Sequence, residues 1–253
     1  LSDTAPSSRP LAGRTALVTG GATRVGAAIG RTLHAAGAHL VIHYRRSSAH
    51  AEQLQAELVA LRPGSASLAQ ADLLDIAALP GLIDRTLAAT GRLDILVNNA
   101  SSFYPTPVGE ATLEQWQDLM GTNAQAPFFL SQAAAPQLQA NGGCIVNLVD
   151  IHAERPHRQH PIYSMAKAAN AMLVKTLARE LAPQVRVNGV APGAILWPES
   201  FFEDADRLAI LERIPLGRPG TTQDIADTVL FLVSSDYVTG QIIAVDGGRS
   251  VQQ

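Results

Sequence analysis

Cysteine is nearly absent: Cys144 is the only one in 253 residues. That excludes an intrachain disulfide and a cysteine-based metal site, and the setting "GGCIVNLV" reads as a buried strand rather than a reactive thiol. No apolar run approaches the ~18 residues of a membrane-spanning helix. Nor is there an excess of positive charge. The formal net charge of −3 gives no global basic field for a nucleic-acid partner. The opening "LSDTAPSSRP" lacks a basic region followed by an apolar core, so it does not read as a secretory signal. Residues 1–12 read as a disordered tail before a single domain at 13–253, and the cytoplasm is the expected location. His152, His157 and His160 share one loop without acidic or cysteine partners at ligand spacing, so no metal is expected. One further absence is local: no acidic residue occurs between Asp3 and Glu52.

What is present is a chain with 47% hydrophobic and 16% charged residues, ample for one substantial core. Apolar runs alternate with amphipathic segments along its length. Strands are predicted at 14–19, 39–44, within 66–73, and at 93–100, 143–150, 184–193 and 240–248. Helices are predicted at 24–36, 48–61, 75–90, 112–140 with an irregularity near Pro127, 162–182 and 222–234. Strict alternation implies right-handed βαβ crossovers and an α/β, doubly wound parallel sheet. Ligands bind such sheets outside the carboxyl ends of the strands. The residues of interest fall there: Gly20 to Gly26, His43 to Ser47, Asp72, Asn98 to Phe103, Asp150 and Pro192 to Leu196. The region 194–221, with Trp197, Pro198, Phe201 and Phe202, reads as a lid or a subunit contact.

"TGGATRVG" (19–26) sits between the first strand and its helix, where a dinucleotide pyrophosphate meets a helix amino terminus. Gly20, Arg24 and Val25 are its expected cofactor residues. NAD-binding folds commonly place an acid at the end of strand two for the ribose hydroxyls. Here that position reads "HYRRSS". Guanidinium groups grip phosphate oxygens in a fork, so His43, Tyr44, Arg45, Arg46 and Ser47 point to the 2′-phosphate of NADPH. "YSMAK" places Tyr163 and Lys167 one turn apart on one helix face. A phenol near pKa ~10 needs tuning to move a proton at neutral pH. An ammonium nearby would lower it, so Tyr163 is the candidate general acid, with Lys167 tuning it and holding the ribose.

With "ADL", "NNA", Asn123 in "GTNAQAPF", "RVNGVAPG" and "TGQIIAVDGG", these stretches make residues 13–249 resemble the classical short-chain dehydrogenase/reductase family. The resemblance implies a seven-stranded Rossmann sheet of order 3-2-1-4-5-6-7, hydride transfer from a nicotinamide and a homotetramer. It adds Asp72, Leu73, Asn99, Ala100, Ser101, Pro192 and Gly193 to the cofactor residues. It also implies that Asn123 supports the lysine through water; the alternative reading is that Asn123 satisfies backbone groups at a helix irregularity.

Three departures from the common family pattern narrow the resemblance. Arg24 stands where most members have glycine, Ser101 where they have glycine after "NNA", and Asp150 where they have the active-site serine. Together with "NNASSFYPTP" they are similar to the pteridine reductase subgroup. A pterin is flat and rich in donors and acceptors, so Phe103 can stack on it while Ser101 and Arg24 meet its edge or the cofactor phosphates. The resemblance implies hydride delivery to C7 with a proton from the Tyr163–Asp150 pair at N8, then hydride to C6 with a proton at N5 from water near Arg24. Dihydrofolate is a further candidate substrate. Two other readings share the skeleton: a reductase of an oxoacyl thioester or ketone, and a non-catalytic NADPH sensor.

Overall fold

The computed structural model describes residues 9–195 and 209–252. Seven strands form one parallel sheet: β1 (Thr15–Val18), β2 (His39–Tyr44), β3 (Ala66–Gln70), β4 (Ile95–Asn98), β5 (Cys144–Leu148), β6 (Arg186–Pro192) and β7 (Ile242–Val245). Their order is β3-β2-β1-β4-β5-β6-β7, as expected. Between them run α1 (Arg24–Ala35), α2 (Ser48–Leu61), α3 (Leu79–Thr90), α4 (Leu113–Met120), α5 (Ala126–Asn141), α6 (Pro161–Glu180) and α7 (Thr222–Ser234).

β1, β4 and β5 are buried along their whole length, which explains why they read as apolar runs without alternation. Their side chains still alternate between two cores. Ala16, Val18, Ile95, Val97, Cys144 and Val146 join Ile29, Leu33, Leu54, Leu58 and Val229 on one face. Leu17, Leu96 and Ile145 join Leu82, Leu130, Leu138 and Leu177 on the other. Cys144 is thus a core residue, and burial pushes its thiol up to about 11. α4 and α7 start where sequence chemistry dictates. Thr112 with Gln115, and Thr221 with Asp224, form reciprocal capping boxes.

The chain winds outward from β1 to β3, then returns to β4 beside β1. That reversal opens a crevice at the carboxyl ends of β1 and β4. One expectation is met here and one changes. The predicted 112–140 helix is interrupted by a π-helical turn at Gly121–Gln125, just before Pro127. The tail expected over 1–12 lies outside the described residues up to residue 8, but 9–12 is packed: Leu11 is buried and its N–H donates to Ala36 O. A buried leucine ties these residues to the end of α1, and composition alone hides that contact. In the expected lid at 194–221, Trp197, Pro198, Phe201 and Phe202 lie outside the described residues.

Candidate active site

The loop from Gly20 to Gly26 is locked before any ligand arrives. Thr19 Oγ1 accepts from the backbone N–H of Asn99 and Ala100, while Asn99 Nδ2 donates to the carbonyls of Thr19 and Gly20 at 2.8 and 3.1 Å. Gly20 has φ +58°, and a Cβ there would press on Ala100. A Cβ on Gly26 would collide with the Gly20 carbonyl oxygen. Only glycine permits this close approach of loop, helix and β4. Arg24 breaks the pattern. It adopts φ +51°, a left-handed conformation rare for a long side chain, and it stands at the start of α1 with no acid in the first turn. Backbone strain and a cation at a helix amino terminus both cost stability, and such costs persist where function demands them.

A cleft of about 490 Å³ opens over this loop, lined by Gly20, Arg24 and Val25 on one side and Asn99, Ala100 and Ser101 on the other. Tyr44, Arg45, Arg46, Ser47, Asp72 and Leu73 close its far end. These shapes fit a dinucleotide: glycines where a side chain would obstruct, a helix amino terminus, and arginines where a ribose phosphate would lie. Arg45 reaches Asp72 at 3.6 Å, an exposed pair of little net strength that a phosphate can displace. Arg46 is exposed and has no ion pair among the described residues.

His43 also lines the cleft, and its ring is held by backbone. It is 2% exposed, its Nδ1 accepts from Gly20 N–H at 3.1 Å, and Nε2 meets Ala71 O at 3.2 Å. Both nitrogens are therefore occupied by backbone, and burial holds the imidazole down at about 4, neutral throughout the physiological range. His43 orients the glycine loop; the cations that face the cleft are its neighbours.

Across the crevice, α6 presents Tyr163, Lys167 and Asn170 at i, i+4 and i+7, on one face. Pro161 opens the helix, where its missing N–H costs nothing. Tyr163 Oη donates to Asp150 Oδ2 at 2.7 Å, and Asp150 Oδ1 accepts from His152 N–H at 2.9 Å. Lys167 Nζ donates to Leu148 O at 2.9 Å. The expected tuning is reversed in this state. Burial, then the Asp150 charge and hydrogen bond, raise Tyr163 well above a free phenol, and a hydrogen bond with Ser101 opposes them. Burial brings Lys167 down to about 8. After burial, which weighs most, it is Asp150 that acts on the phenol, because the carboxylate lies directly on it whereas the ammonium is turned to a carbonyl.

Sequence reasoning missed a buried asparagine chain behind this face. Asn98 Nδ2 donates to Asn147 Oδ1 at 2.9 Å, Asn147 Nδ2 to Asn170 Oδ1 at 2.8 Å, and Asn170 Nδ2 to Asn123 O at 2.9 Å. All four are at most 4% exposed. Asn123 sits in the π-turn, where the widened helix frees its carbonyl. Its side chain donates to Ser102 O and Leu119 O and accepts from Ser101 Oγ at 2.6 Å. Asn123 therefore satisfies backbone groups and fixes the 101–103 loop. A usable signal was the polar Asn147 inside an apolar strand and Asn170 in register with Tyr163.

Phe103, on that loop, is 55% exposed and lies against Tyr163 with ring centroids 4.8 Å apart, nearly perpendicular. Pro192 and Gly193 end β6, and Gly193 packs so closely on Asp246 that a Cβ would clash.

Residues 20–250 match the family model described as enoyl-(acyl carrier protein) reductase. The chain belongs to the short-chain dehydrogenase/reductase family. This oxidoreductase is 39% identical over 282 residues to pteridine reductase 1 of Leishmania tarentolae, covering 93% of this chain and 96% of that one. It is also 37% identical over 246 residues to L-xylulose reductase of Bos taurus, covering 94% and 97%. A 3-oxoacyl-(acyl-carrier-protein) reductase of Synechocystis sp. is 35% identical over 243 residues, again covering 94% and 97%. The family uses NAD(P), in keeping with the cleft. Among the described residues no helix is long and apolar enough to cross a membrane.

Proposed function

We propose that this oxidoreductase is an NADPH-dependent reductase of dihydropterins, with oxidised pterins or dihydrofolate as further substrates. The observation that carries the reading is the 2.7 Å hydrogen bond from Tyr163 to Asp150, with Phe103 beside the same phenol. Reducing a carbonyl needs one neutral hydroxyl donor. Protonating a ring nitrogen beside an aromatic platform is served by a carboxyl–phenol pair that shares and replaces a proton. The similarity to pteridine reductase 1 supports the same reading.

NADPH would supply the hydride. Arg45, Arg46 and Ser47 would hold its 2′-phosphate, Gly20 to Val25 its pyrophosphate, and Lys167 its ribose. Tyr163 delivers the proton to the pterin nitrogen, and Asp150, itself first protonated from solvent, returns one to the phenolate. Lys167, mostly cationic at pH 7, stabilises the phenolate formed in between. Arg24 meets cofactor phosphate and the pterin edge, two tasks that a glycine cannot perform. Exposed Trp116, Phe128 and Met172 on α4, α5 and α6 support a homotetramer built through these helices.

Asp150→Ser tests the reading. Dihydropterin kcat should fall by about 100-fold or more, the low end for a lost acid–base group, while NADPH affinity stays within twofold. Unchanged dihydropterin kcat would remove Asp150 from the chemistry, and no dihydropterin turnover by the unsubstituted enzyme would favour a carbonyl substrate.

A further inference from the structure

The three histidines of the loop before α6 are not free surface groups. Nδ1 of His152 meets Arg155 O, and Nδ1 of both His157 and His160 meets Arg158 O, each at 2.8 Å. Their rings touch in sequence, with centroids 4.7 Å apart for His152–His157 and 4.4 Å for His157–His160. Among the described residues no group of three histidines, cysteines or acids is placed to hold a metal. The chain of rings ends instead on Phe103. His160 lies parallel to it, with centroids 4.6 Å apart and planes within 9°.

This stack has a direction. His160 is 8% exposed, whereas Phe103 is 55% exposed, so the histidine is the inner partner. Its backbone is fixed at the entrance to α6, where its side chain caps nothing, so its ring is not serving the helix. A second tie joins the two loops: Thr106 N–H donates to Gln159 O at 2.7 Å. Phe103 therefore has one face backed by a ring and its orientation to Tyr163 set from behind.

We propose that His160 is a specificity-determining positioning residue, which backs Phe103 and fixes it as a one-sided platform for a flat aromatic substrate. The proposal rests on the dihydropterin reading. A ring that is already stacked loses little freedom on binding, so substrate gains contact without the cost of ordering Phe103. Neutral His160 serves this best. Burial, and the neighbouring His157, lower its affinity for a proton.

The test compares His160→Ala and His160→Phe in the full-length enzyme, using dihydrobiopterin and NADPH. His160→Ala should raise KM for dihydrobiopterin about three- to tenfold, the equivalent of one lost aromatic pair. KM for NADPH should stay within twofold, and His160→Phe should restore the dihydrobiopterin KM. If His160→Ala does not fold, His160→Gln, which lacks the ring, replaces it. Dihydrobiopterin KM unchanged on ring loss, both KM values rising together, or no rescue by phenylalanine would each overturn the proposal. Absence of dihydropterin turnover by the unsubstituted enzyme would overturn the substrate reading and this inference with it. Turnover with a KM insensitive to His160 would overturn the inference alone.

Discussion

Arg24→Gly should make the protein more stable and a poorer enzyme. Arg24 holds φ +51° at the first residue of α1, with no acid in that turn. The left-handed backbone costs a residue with a Cβ about 1–2 kcal/mol. A cation at a helix amino terminus adds roughly 0.3–1 kcal/mol. Glycine removes both, but its looser unfolded chain returns about 0.5–1 kcal/mol. The net gain is about 1 kcal/mol, or roughly 2–4 °C in Tm for a domain of this size. Binding moves the other way. Loss of a charge-assisted hydrogen bond to phosphate costs about 1.5–3 kcal/mol, so KM for NADPH should rise about 10- to 100-fold. Differential scanning fluorimetry and initial-rate kinetics on the same preparation read both effects. A lower Tm, or a KM for NADPH within twofold of the unsubstituted enzyme, would refute the view that strain at Arg24 is retained for the ligand.

Two pH effects follow from buried groups. The His43 pKa is about 4, below the ordinary 6.5, so the unfolded chain takes up this proton first. The stability that His43 provides is complete above pH 6.5 and is lost as pH falls towards 4, by about 3 kcal/mol in total. His43→Gln should shrink the loss of urea stability between pH 7.5 and 4.5 by about 2–3 kcal/mol; an unchanged acid slope would contradict the assignment. Lys167 loses its proton near 8, so kcat/KM should fall above that pH. In Lys167→Arg, whatever activity persists should lack this limb.

Most of the scaffold was legible because two periodicities dominate the chain. Runs such as "RTALVT" and "GCIVNLVD" are mostly apolar, without strict alternation, because helices cover both faces of the sheet. The nucleotide cleft was legible because glycines and paired arginines have few other reasons to fall at strand ends. Roles set by direction rather than by residue type were not. His43 lines the cleft as expected of its position, but that burial aims both its nitrogens at backbone was not legible. Lys167 looked like the group that tunes Tyr163, but its ammonium faces Leu148 O, and burial, then the Asp150 carboxylate, hold the phenol up. The Asn98–Asn147–Asn170–Asn123 chain joins residues up to 72 positions apart, a convergence that only the folded sheet creates. The π-turn at Gly121–Gln125 gave only the hint of an irregularity near Pro127.

The central claim is the substrate. Its most direct test is NADPH oxidation by the purified protein with dihydrobiopterin, dihydromonapterin and dihydrofolate, set beside a panel of ketones and oxoacyl thioesters, with NADH in parallel. The account predicts that a dihydropterin is the best substrate, that NADPH is preferred to NADH, and that Tyr163→Phe abolishes turnover. Ketone or thioester reduction without dihydropterin reduction would contradict it, and would reduce Arg24 to a phosphate clamp and Phe103 to a wall of some other pocket.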